Sequence, residues 1–259
     1  MISFGAIAPH GSPVFEQPDG VTAHAMQELK RRLDASECES AILVTPHGLH
    51  VDGRFGVVRS GLLEEHGNRF VDDAHLYTGR GDTELADACV RALEEEGLAV
   101  SGLSFGTSLA GDSVMPVDWG AGIPLWFLRI PAVVVSPCRA LSNEEHVRAG
   151  AALARATGDR RIAFVASADH GHGHDPNGPY GFSEHSRPYD DDIVRIVEAN
   201  ALRELVAWPP ERAYDALADS LWQLLMLHGA LGDGFDAELL SYEAPTYFGM
   251  LVAAFAPRT

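Results

Sequence analysis

Short apolar runs alternate along this chain with stretches of helical spacing, and two of the runs end in the same tripeptide, Pro-His-Gly. Such alternation is the mark of an α/β fold, in which connecting helices cover a sheet. Strands are expected over residues 3–8, 40–45, 54–59, 99–105, 130–136 and 161–167, with a closing pair over 238–242 and 246–255. Helices are expected over 21–33, 83–96, 144–156, 189–206 and 212–231, and a short helix or turn over 122–127. The 259 residues show no repeat and no low-complexity linker. The expectation is one domain, 1–259, with a central mixed sheet flanked by helices.

The two tripeptides carry the chemistry. Pro9-His10-Gly11 and Pro46-His47-Gly48 each place an imidazole just beyond the carboxyl end of a strand, the edge at which open α/β sheets bind ligands. Proline stiffens the approach, and glycine lets the backbone turn away. One such histidine is commonly a hydrogen-bonded structural residue; two in matching contexts point to a shared metal. Iron(II) would take a carboxylate as third ligand and keep open positions for substrate and dioxygen. Glu243, in Tyr242-Glu243-Ala244-Pro245, is a candidate, although a strand-end glutamate is also commonly just solvated. A further strand end opens into Ser167-Ala168-Asp169-His170-Gly171-His172-Gly173-His174. A neutral imidazole beside a metal can accept a substrate proton and return it; the alternative is a surface histidine run that binds metals loosely. The long loop 173–188, rich in Gly, Pro, Asp and His, has the length of a functional loop.

Composition removes other classes. A formal charge of −18 repels a phosphate backbone, so nucleic acid is not an expected partner. No apolar run approaches the ~20 residues that cross a bilayer, and the start lacks the basic and apolar regions of a signal peptide. Three cysteines in no Cys-x-x-Cys pattern suit a reduced, cytoplasmic setting. Cys138 as a nucleophile lacks a partner signature, and a buried thiol is the plainer reading.

In their order and strand-end placement these motifs resemble the catalytic, B-type subunits of class III extradiol ring-cleavage dioxygenases, the protocatechuate 4,5-dioxygenase-like superfamily. The resemblance rests on Pro9-His10-Gly11, the strand-end His47, the Asp-x-Gly-x-x-x-Pro-Leu segment Asp118 to Leu125, Ser167-x-Asp169-x-x-His172 and Tyr242-Glu243-x-Pro245. It implies iron(II) held by His10, His47 and Glu243, with a catechol-like diol opened by O2. It implies His172 as the acid–base group, with His170 as the alternative if the register differs by two. It also implies a homo-oligomer or pairing with a small accessory subunit. Trp119 departs from the pattern, standing where many members carry a second active-site histidine. An indole stacks and donates one hydrogen bond but exchanges no proton at neutral pH, so either one histidine suffices or the reaction differs. Trp119, Tyr180 and Phe182 are candidate pocket walls. His50 is a candidate to orient a ligand imidazole, and Asp169 to orient His172. Arg129, Arg139 and Arg187 are candidates to meet a substrate carboxylate. Two other functions fit the same ligands: a zinc-dependent hydrolase or lyase, and a Memo-like protein that keeps the metal pocket and acts through a partner.

Overall fold

The computed structural model describes residues 1–66 and 72–258. The chain runs β1 (Ile2–Ala8), α1 (Pro13–Glu16), α2 (Val21–Ala35), β2 (Ser40–Val44), β3 (Phe55–Val58), β4 (Leu62–Glu65) and β5 (Thr78–Arg80). It continues through α3 (Thr83–Glu95), β6 (Val100–Leu103), β7 (Val114–Val117), α4 (Trp119–Leu128), β8 (Ala132–Ser136), α5 (Asn143–Ala156) and β9 (Ile162–Ser167). It ends with α6 (Ser186–Glu198), α7 (Glu211–Asp215), α8 (Leu221–Leu231), β10 (Phe235–Glu243) and β11 (Met250–Pro257).

Eight strands form a mixed sheet in the order β10-β11-β1-β9-β2-β8-β3-β6. The central strands are buried on both faces, which is why they read as continuous apolar runs. Along β2, Ile42 and Val44 enter a core shared with α3, α5, α6 and α8, while Ala41 and Leu43 enter a second core with α2 and α4. Helices therefore cover both faces, and the α/β expectation holds. The close approach of α5 to α8 depends on two glycines. A Cβ on Gly150 would lie 1.9 Å from the Met226 carbonyl oxygen, and one on Gly229 would lie 1.9 Å from that of Val147.

Register places the functional edge. β1, β9, β2 and β8 run parallel, with Ala8 opposite Ser167 and Val44 opposite Ala166. Their carboxyl ends are thus level, and the residues just beyond them, His10, Asp169 and His47, leave the sheet side by side.

Two helix expectations change. The helix expected over 189–206 stops at Glu198; Asn200 takes φ +52°, and a 3-10 helix, Leu202–Ala207, follows. The helix expected over 212–231 is divided into α7 and α8, with Leu217 at φ +55°. Left-handed backbone ends a right-handed helix. The short helix or turn expected over 122–127 is a ten-residue helix, α4, started by Asp118, whose side chain accepts from the Gly120 N–H. A three-stranded sheet, β5-β4-β7, was not anticipated, because its strands are short and carry charge. Among the described residues no helix is long and apolar enough to cross a membrane.

One buried histidine sets an acid limit on stability. His146 of α5 is fully buried; its Nδ1 lies 2.8 Å from the Ser142 carbonyl, its ring meets Phe55 edge-on, and its Nε2 has no partner. Burial pushes its pKa from 6.5 down to about 4, against the Ser142 hydrogen bond and the Glu145 charge. Between those two pH values the unfolded chain holds a proton that the native chain lacks, so stability falls as pH drops through that window. The loss reaches about 3 kcal/mol. In urea denaturation measured from pH 7 to 4, His146→Leu is expected to flatten this decline; an unchanged slope would assign the acid sensitivity elsewhere.

Candidate metal centre

His10 is two residues past β1 and 2% exposed. Its backbone N–H donates to Asp169 Oδ1 at 3.1 Å, and its Nδ1 is 2.9 Å from Ser167 Oγ. The Ser167 hydroxyl donates to the Gly120 carbonyl at 2.5 Å. Its single proton is therefore committed, so Nδ1–H of His10 must be the donor to Oγ and the Nε2 of the neutral ring carries a lone pair. That lone pair points at carboxylate oxygens, Asp169 Oδ2 and Asp219 Oδ2, each at 3.5 Å. Acceptor facing acceptors in a buried place calls for a positive charge between them.

His47 completes the arrangement. Its loop is tied to α4 by Asp118, whose Oδ2 accepts from the Gly48 N–H at 2.8 Å and whose Oδ1 accepts from Gly120 at 3.0 Å. Gly48 takes φ +85°, a conformation glycine adopts without strain. A Cβ on Gly120 would lie 2.7 Å from the His47 ring, so this glycine lets the helix start against the imidazole. His47 Nε2 is 3.7 Å from Asp219 Oδ2. Asp219 Oδ1 accepts from the Asp169 N–H at 3.2 Å, which fixes the carboxylate and leaves Oδ2 toward both rings.

His10, His47 and Asp219 thus each offer one ligand atom, all within 4.8 Å of one another. Ligand atoms about 2.1 Å from a common ion lie roughly 3.0–3.4 Å apart in octahedral or tetrahedral geometry. The 3.5 and 3.7 Å separations are close to that. Electrostatics agree. Burial lowers the His10 pKa, but Asp169 and Asp219 outweigh it and raise it to about 9. Burial raises Asp219, but His10 and His47 outweigh it and hold it well below the usual carboxylate range. Asp169 is raised by its burial and by the Asp219 charge, against the pull of His10. The site attracts a cation, and in the apo protein a proton on His10 takes its place.

Glu243 is not brought to this group. It ends β10, two strands from β1 in the sheet order, a lateral offset of about 10 Å. Its Oε1 accepts from the Thr22 N–H at 3.0 Å and from the Thr22 hydroxyl at 2.5 Å. It serves the first turn of α2, whose N-cap is Gly20 and has no side chain to cap with. The carboxylate beside the imidazoles is Asp219.

The cavity over the group measures about 130 Å³. His172 lines it, its ring stacked on Phe248 at 5.4 Å and edge-on to Tyr180 at 5.8 Å, with Nδ1 buried and unpartnered. Trp119 lines it with its ring 4.8 Å from that of His47. Tyr180 lines the mouth at 63% exposure, and Tyr247 and Phe248 supply two further walls. A Cβ on Gly11 would lie 2.3 Å from the Phe248 ring, so that wall packs directly on the His10 loop.

Other candidates lie elsewhere. His170 is fully buried outside the cavity lining, its Nδ1 3.0 Å from Ser220 Oγ. Phe182 is 67% exposed and is not in the lining. His50 is exposed and also outside it. Asp169 holds the His10 backbone instead of a hydrogen bond to His172. Arg129 stacks on Trp126, Arg139 stacks on Trp222, and Arg187 pairs with Asp191; none lines the cavity.

Residues 5–253 match the family described as the catalytic LigB subunit of aromatic ring-opening dioxygenase. The chain belongs to this LigB family. A solved structure, described as an uncharacterized protein JW3007 from Escherichia coli K12, superposes with a TM-score of 0.65 at 17% identity, over 97% of this chain and 99% of that one. At that identity the likeness speaks for the fold alone. No curated protein matches the sequence. LigB membership places the chain among dioxygenase-like enzymes, and the His/Asp group is a possible metal site at the carboxyl edge of its sheet.

Ser167 gives this LigB chain a direct test of the tautomer argument. Ser167→Ala removes the acceptor that fixes His10 Nδ1–H, and metal affinity is expected to fall about 10–100-fold with the fold retained. Anaerobic titration with iron(II) or zinc, alongside thermal melting, reads both. Unchanged affinity would show that the hydroxyl does not orient the ring.

Proposed function

We propose that the protein is an iron(II)-dependent extradiol dioxygenase that opens the ring of a catechol-like diol, with His10, His47 and Asp219 as the metal ligands. The observation that carries the reading is the convergence of two imidazoles and one carboxylate on a cavity with aromatic walls, an arrangement of the two-histidine, one-carboxylate kind. Iron(II) held there supplies open positions for the diol and O2 and a path for electrons between them.

The chain's own residues do the rest. The wall of Trp119, Tyr247 and Phe248 fixes the ring plane, so that the hydroxyls face the ligand group and the far edge faces the mouth. His172 lines the cavity with its ring held by Phe248. It takes a proton from one hydroxyl and returns it as the ring opens. Overall, the carbon–carbon bond beside the diol breaks and O2 is the oxidant. Both of its atoms enter the product, giving a carboxylate at one end and an aldehyde at the other.

A zinc-dependent hydrolase would use the same ligands, but the aromatic walls favour a flat ring. Anaerobic loading with iron(II), then addition of catechols in air-saturated buffer, is expected to consume one O2 per diol and yield a yellow semialdehyde. No oxygen uptake with any diol, together with stoichiometric zinc in the purified protein, would turn the assignment to hydrolysis.

A further inference from the structure

From the charge distribution of the cavity, and resting on the ring-opening reading, we infer that the substrate is a single-ring diol that carries no carboxylate. The charged side chains in the lining, besides the histidines, are Asp169 and Asp219, and the rest of it is uncharged: Gly11, Ser12 and the aromatic wall. Among the described residues no lysine or arginine lines the cavity. The three arginines that the sequence offered for a substrate carboxylate are used elsewhere, Arg129 on Trp126, Arg139 on Trp222 and Arg187 on Asp191.

Charge balance makes this selective. A divalent ion held by His10, His47 and Asp219 would find its compensating charge in the carboxylates of Asp219 and Asp169. The bound diol, having given one proton to His172, brings a negative charge that the imidazolium so formed matches. No positive charge remains for a substituent carboxylate. That group, on the far edge at the mouth, would give up part of its hydration to the Tyr180 and Tyr247 rings with no cation in the lining to compensate, and would lie in the field of two buried aspartates; both are unfavourable. Steering adds to the effect, because a surface of net charge −18 repels anions at long range. Size points the same way. The cavity of about 130 Å³ is close to the roughly 150 Å³ apolar cavity that accommodates benzene, so one ring fills its depth.

The test compares catechol and 4-methylcatechol with 3,4-dihydroxybenzoate on the iron(II)-loaded protein. Anaerobic calorimetry reads binding, and initial oxygen uptake reads kcat/KM. The neutral diols are expected to bind more tightly and to exceed the carboxylated one in kcat/KM on the order of 100-fold. Equal or better binding and turnover of 3,4-dihydroxybenzoate would overturn the inference. Arg69 lies outside the described residues, so Arg69→Ala is run in parallel. The same preference in both proteins supports the inference, while a carboxylate preference that Arg69→Ala abolishes overturns it. If the neutral diols bind preferentially but none consumes oxygen, the charge selection stands and the ring-opening reading fails.

Discussion

Asp219→Asn is expected to weaken metal binding by at least about 100-fold and to reduce ring opening to background, whereas Glu243→Gln keeps both. The asparagine retains the shape of the side chain and can still accept from the Asp169 N–H through Oδ1. What it loses is the negative charge that faces His10 and His47 at 3.5 and 3.7 Å. A buried divalent ion then has one anionic neighbour fewer, and an amide is a poor substitute for a carboxylate ligand. Glu243→Gln removes an anion from the first turn of α2, which costs about 0.5–1 kcal/mol of stability and leaves the cavity untouched. Metal titration and thermal melting on the two variants separate the roles. Retained affinity in Asp219→Asn, with loss in Glu243→Gln, would reverse the ligand assignment.

His172→Phe is expected to keep the metal and lose about 10²–10⁴-fold in kcat with KM little changed. Phenylalanine preserves the stacking on Phe248 and the contact with Tyr180, so the pocket keeps its shape while the proton carrier goes. Trp119 lines the same cavity, and an indole cannot share this work. The full burden of proton transfer then falls on His172, which is why a large effect is expected. Single-turnover oxygen uptake by iron-loaded protein measures it. An unchanged kcat would remove His172 from the proton path.

The sheet and two of the three proposed ligands were legible because they depend on local pattern. Apolar runs mark strands buried on both faces, and parallel register then carries His10 and His47 to one edge. Asp219 was not legible for a physical reason. The helical spacing of residues 212–231 continues straight through it, and the interruption at Leu217 is imposed by tertiary contacts. The Ala216 carbonyl accepts from the His172 N–H and from the Ser186 hydroxyl, which docks this turn on the histidine loop. One signal was present, since Asp219-Ser220 before an apolar run is a pattern that starts helices. Glu243 misled because it does sit at the carboxyl end of a strand on the right edge, with two strand spacings between it and the imidazoles. The walls Tyr247 and Phe248, expected within the closing strand 246–255, lie in the loop before β11, which starts at Met250, and their packing on Gly11 and His172 marks them.

The most direct measurement is anomalous diffraction at the iron edge from crystals grown and loaded with iron(II) under anaerobic conditions. One strong peak is expected within bonding distance of His10 Nε2, His47 Nε2 and Asp219 Oδ2, with the side toward Trp119 and His172 free of protein ligands. A peak coordinated by Glu243, or no peak among these three residues, would contradict the account.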